Sequence, residues 1–86
     1  MPTLPDPTAA AERAARATLA HLGPDLDAQS VAHHAKQSAA SWLTGQGVSH
    51  AQWQQASDQD PISRAYSRYV TAFRLAYDRL AQGGGA

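Results

Sequence analysis

The stretch from Asp60 to Gln82 constrains the fold more than any other. At about 100° per residue, Ile62, Ala65, Tyr66, Tyr69, Phe73, Ala76, Tyr77 and Leu80 fall on one face. Arg64, Ser67, Arg68, Thr71, Arg74, Asp78 and Arg79 fall on the other. That pattern predicts an amphipathic helix with an aromatic seam, which needs other elements to cover it. Asp60 is the expected N-cap and Pro61 the first helical residue, where a missing N–H costs nothing. The run Gly83-Gly84-Gly85 is the expected stop. Four of the chain's six aromatic residues and four of its seven basic ones lie in this helix.

Three further helices are predicted, and no strand, because no segment alternates with period two. The first starts at the signal Asp6-Pro7 and stops at Leu22-Gly23-Pro24. Its apolar face would be Ala11, Ala14, Ala15, Thr18, Leu19 and Leu22, strong in helix propensity but shallow. The second has Asp27 as N-cap, with Leu26 and Val31 in hydrophobic-staple positions. Val31, Ala32, Ala35, Ala39, Trp42 and Leu43 line its inner face, and Gly45 is the expected stop. The third is short: Ser49 and Gln52 fit a capping box, with Val48 and Trp53 around the same cap. The expected fold is therefore all-α, a small orthogonal bundle of three longer helices plus one short helix. The domain plan is a flexible segment over 1–6, one helical domain over 7–82 and a flexible Gly-rich tail over 83–86.

Large apolar side chains are unevenly spread. Twelve (Leu, Ile, Val, Phe, Tyr, Trp) lie in residues 42–80 and five in residues 2–41. This places the expected core in the second half, with Trp42, Leu43, Val48 and Trp53 against the Ile62–Leu80 seam. The Ala face of the first helix suits close helix approach, in its own chain, on a second copy or on a partner. A chain of 86 residues buries only roughly 60–65% of its unfolded surface, so an oligomer, with a homodimer first, or a complex is expected.

Charge and composition exclude several classes. Seven basic residues balance seven acidic ones, which argues against a strong non-specific polyanion binder. The balance is uneven along the chain. Residues 61–86 carry four arginines against one aspartate, a net of +3, whereas residues 1–60 carry three basic against six acidic residues, a net of −3. There is no cysteine, hence no disulfide framework. The start, Met1-Pro-Thr-Leu-Pro-Asp-Pro, has no basic n-region and no apolar run, and no stretch approaches the roughly 18 apolar residues of a membrane span. A soluble, cytoplasmic protein is expected, and the heavy Ala, Gln and Arg usage suits a GC-rich bacterial genome.

No residue pattern points to catalysis or a cofactor. His33 and His34 are adjacent and diverge by about 100° on a helix; Gln37 and Ser38, one turn on, are poor ligands, and His21 and His50 lie on other helices. A metal site is therefore not expected. No glycine-rich phosphate loop opens a helix, and so small a chain leaves little room for a walled pocket. No enzyme is expected. Tyr66, Tyr69, Phe73 and Tyr77 stand at core spacing, with any hydroxyl at the rim satisfied by water.

Two surfaces remain. The outer face of the last helix, Arg64, Arg68, Thr71, Arg74, Leu75 and Arg79, sets one exposed apolar residue among four cations, a plausible interface for an acidic protein surface. The first expectation is accordingly a small non-catalytic interaction module: a regulator, adaptor, inhibitor or immunity-type protein binding another protein or itself. The alternative is a dimeric helix-turn-helix DNA-binding regulator over 39–56, reading bases with His50, Gln52, Gln54 and Gln55. Its reading helix has no Arg or Lys, and its turn is a loose Gly45-Gln46-Gly47.

Overall fold

The computed structural model describes residues 4–83. Four helices follow in order: α1 (Thr8–Leu22), α2 (Ala28–Gly45), α3 (His50–Gln55) and α4 (Pro61–Gly83). There is no strand among the described residues. The all-α bundle of three longer helices and one short one is what the periodicity required. The described chain is elongated, about 43 × 21 × 20 Å. Residues 1–3 and 84–86, parts of the two segments expected to be flexible, lie outside the described residues.

The helix starts follow their caps. The Asp27 carboxylate accepts from the Ser30 N–H at 2.7 Å, and the Asp60 carboxylate accepts from the Ile62 N–H at 2.9 Å. At α3 the capping box is complete: Ser49 Oγ accepts from the Gln52 N–H at 3.1 Å, and Gln52 Oε1 accepts from the Ser49 N–H at 2.8 Å. The start of α1 differs by one residue. Pro7 is its N-cap, but Asp6 still serves the end, accepting from the Thr8 N–H at 2.9 Å and the Thr8 hydroxyl at 2.6 Å.

The helix ends differ more. Gly23 closes α1 as expected, at φ 80°, with its N–H donating to the Leu19 carbonyl at 2.8 Å. Gly45 is not the stop of α2; it is the last helical residue. Gly47 makes the reversal at φ 89°. Its N–H donates to the Thr44 carbonyl at 3.0 Å and the Val48 N–H to the Leu43 carbonyl at 3.1 Å. Those two bonds form a Schellman turn, and its left-handed residue is two positions later than expected.

The largest fully buried side chains, Tyr77, Phe73 and Leu43, lie in the second half as expected, but the core reaches further into the first half than the count of large residues implied. Its buried members are Ala11 and Ala15 of α1, Val31, Ala35 and Ala39 of α2, and Tyr69, Phe73, Ala76 and Tyr77 of α4. Each helix contributes a row spaced by four, which is one ridge of a helix surface. Alanine rows bring two backbones close to α4, and the α4 aromatics fill the space between them. Both α1 and α2 pack chiefly on α4 and less on each other. The first helix thus docks within its own chain. Three expected core residues, Trp42, Val48 and Trp53, are only half-buried, and α3 buries nothing fully. Leu43 is buried as expected, whereas Leu22 at the end of α1 is 49% exposed. The reason is length: α3 has six residues, too short to lay a second apolar row on α4, so the 15-residue α1 takes that place.

Candidate functional site

The inner face of α4 is held in register by a bond the sequence did not suggest. Tyr77 is 2% exposed, and its hydroxyl donates to the Gly23 carbonyl at 2.6 Å. It is satisfied inside the protein rather than by water at the rim. Tyr69 is also buried; burial pushes its phenol above the ordinary value, and hydrogen bonding with Ser38 opposes this. Tyr66 sits at the edge, its ring 5.1 Å from that of Trp53, while the Trp42 ring lies 5.8 Å from Tyr69. Partial burial raises the Tyr66 phenol too.

With that face fixed, the six expected partner-binding residues point outward. Arg64, Arg68, Thr71, Arg74, Leu75 and Arg79 are all exposed. Leu75, at 64%, is the more exposed of the two large apolar residues that stand open among the described residues. Five of the six border two neighbouring grooves. The larger, about 970 Å³, runs between the Leu4–Pro7 lead, the α2–α3 turn, α3 and the start of α4, with Arg64 and Arg68 on its wall. The smaller, about 450 Å³, lies between α1 and α4 and is bordered by Arg68, Thr71, Leu75 and Arg79. Arg68 borders both. Arg74, one residue and so about 100° before Leu75, borders neither.

Sequence reasoning missed the contribution of the N-terminal part. Leu4, Pro5, Asp6 and Pro7 wall the larger groove, and Pro7 is buried. Thr8 and Glu12 of α1 border the smaller one. Nothing in local composition marks them; they are recruited because α1 lies along α4. The larger groove also exceeds the room expected of so small a chain. Its charged groups are Asp6, Asp60, Arg64 and Arg68. Both aspartates are engaged in capping, and the Thr8 hydroxyl and N–H, more than the nearby Arg68, hold the Asp6 carboxyl below its ordinary value. No Ser, Thr, Cys, His, Lys or Tyr lines it.

The alternative site is only partly assembled. Gln52 and Gln55 face the larger groove together with Arg64 and Arg68. Gln54 and His50 do not, and the His50 ring rests 6.3 Å from that of Trp53. The Gln52 carbonyl is committed to the cap of its own helix. The histidines stay scattered: His21, His33 and His50 are exposed, and His34 is half-buried beside His33, ring centroids 5.9 Å apart. Among the described residues no three or more His, Asp or Glu side chains gather where a metal could sit, and no helix is long and apolar enough to cross a membrane.

No family model matches the chain, and neither a curated protein nor a solved structure is similar to it at a significant level.

Proposed function

We propose that this chain is a small non-catalytic interaction module, of the regulator, adaptor, inhibitor or immunity type, that binds a partner protein or a second copy through the outer face of α4. The observation that carries this reading is Leu75, 64% exposed, set on a groove between two helices with arginines on either side of it along α4. Isolated exposed leucines are ordinary. One that borders a groove beside Arg68 and Arg79 has the makeup of an interface centre with a charged rim. A bacterial cytoplasmic setting completes the reading, on compositional grounds.

The test is Arg64→Glu with Arg68→Glu. Both residues are exposed, so helicity and melting temperature should stay near wild type. Self-association by light scattering, or partner capture in a pull-down, should weaken. A variant that unfolds would show that these arginines hold the fold, and would refute the reading.

A DNA-reading helix-turn-helix keeps one favourable observation, the shared groove of Gln52, Gln55, Arg64 and Arg68. Against it stand the capped Gln52 side chain and an α3 of six residues without an Arg or Lys. Such a helix is about 9 Å long, which is short for reading a half-site. Specific retention of a palindromic duplex over a scrambled one at moderate salt would restore that reading.

A further inference from the structure

Resting on the interaction reading, we infer that the partner element seated on α4 is an amphipathic helix from another protein, acidic on the face it presents. Arg64, Arg68, Thr71, Leu75 and Arg79 follow one another by four, three, four and four residues. At about 100° per residue they stay within one stripe. The stripe spans 15 residue steps, or about 22 Å at 1.5 Å per residue, which matches four turns of a second helix. It runs beside α1, and the groove between them supplies the seat: Leu75 and Ala72 give it apolar surface, and Arg68 and Arg79 stand toward its two ends. A groove between two helices with an exposed leucine on its wall can seat a third helix, which lays its own apolar residues on Leu75 and Ala72. The cations specify carboxylates at both ends of the incoming helix, about 16 Å apart. Glu12, on the α1 rim of the same groove, disfavours acids on the side of the partner helix turned toward α1.

A second copy of this chain does not supply that helix. None of its four helices is net acidic. The α1 helix has Glu12 against Arg13 and Arg16, α2 has Lys36 alone, α3 has no Asp, Glu, Lys or Arg, and α4 has four arginines against Asp78. The acidic surplus of residues 1–60 resides in caps and turns instead. Asp6, Asp27 and Asp60 accept backbone N–H groups of their own helix starts, and Asp25 and Asp58 lie in connections. The charge asymmetry along the chain therefore gives no complementary helical face. Nor does the stripe suit a nucleic acid, because Leu75 at its centre has no role against phosphates.

The test uses two fluorescent 18-residue helical peptides with the same leucine stripe. One carries Glu on the flanks, three turns apart, and the other carries Lys there. The Glu peptide should bind the intact chain and weaken as salt rises from low to physiological. The Lys peptide should not bind. Arg68→Glu with Arg79→Glu, checked by circular dichroism, should lose the Glu peptide by at least roughly tenfold and take up the Lys peptide instead. Equal binding of both peptides, or preference for a DNA duplex, overturns the inference. If neither binds but the chain is a dimer that Leu75→Glu dissociates, the inference falls and the interaction reading stands. If neither binds and the chain is a monomer with or without Leu75→Glu, both fall.

Discussion

Tyr77→Phe tests the junction that joins the two ends of the chain. The Tyr77 hydroxyl donates to the Gly23 carbonyl at 2.6 Å across 54 positions, tying the later turns of α4 to the α1–α2 connection. The ring is 2% exposed and stays in place in the variant, so packing is nearly unchanged. What is lost is one hydrogen bond, worth about 0.5–1.5 kcal/mol net. Gly23 is only half-buried, so water can reach its carbonyl, and the expected cost is about 1 kcal/mol. In a domain of this size that lowers the melting temperature by roughly 4–8 °C. Urea and thermal unfolding followed by circular dichroism measure it, with an unchanged m-value as the sign that stability alone has moved. Tyr66→Phe, at the edge against Trp53, is the control and should change stability by less than about 0.5 kcal/mol. If the two variants melt together, the Tyr77 hydroxyl does not hold α1 to α4 and the reasoning fails.

Phe73→Ala, at a fully buried site, should cost about 3–5 kcal/mol, while Trp53→Ala, at a half-buried one, should cost less than half as much in the same urea titrations. The reverse order would put the core back on α3. Ala35→Leu should destabilise by about 1–3 kcal/mol through overpacking, and a gain in melting temperature would show a void between α2 and α4. The Ser30 N–H holds the Asp27 carboxyl below the ordinary aspartate value, so that cap stabilises fully above the ordinary value and is lost as pH falls through the lower folded one. Asp27→Asn should flatten the acid limb of a plot of urea midpoint against pH. Tyr69 shifts the other way, upward through burial from 10.0. Its contribution is complete below that pH and disappears above it, and Tyr69→Phe should blunt alkaline unfolding.

Helix positions and starts were legible because they depend on local chemistry. A carboxylate or hydroxyl reaches an N–H two or three residues on, and no distant residue is needed to decide it. The caps at Asp27, Ser49 and Asp60 therefore stand as the spacing implied. So does the outward side of α4, since an amphipathic helix has one way to face its core. The core was legible in part. The α4 seam and the inner face of α2 stand buried as expected, but counting large side chains overrated Val48 and Trp53 and underrated the Ala11–Ala15 row of α1. An alanine contributes little area, but it lets another helix come close enough for Tyr69, Phe73 and Tyr77 to be enclosed.

That close approach of α1 also settles the site. Local periodicity placed Arg64, Arg68, Thr71, Leu75 and Arg79 on one side of a helix. Whether they formed a bare face or bordered a groove depended on what lay next to them. Thr8, Glu12 and the Leu4–Pro7 lead, more than fifty residues away in the chain, turn that face into two grooves. Backbone hydrogen bonds act over four residues and can be read from sequence. Burial is decided by which surfaces meet, and that is set only when the whole chain has packed.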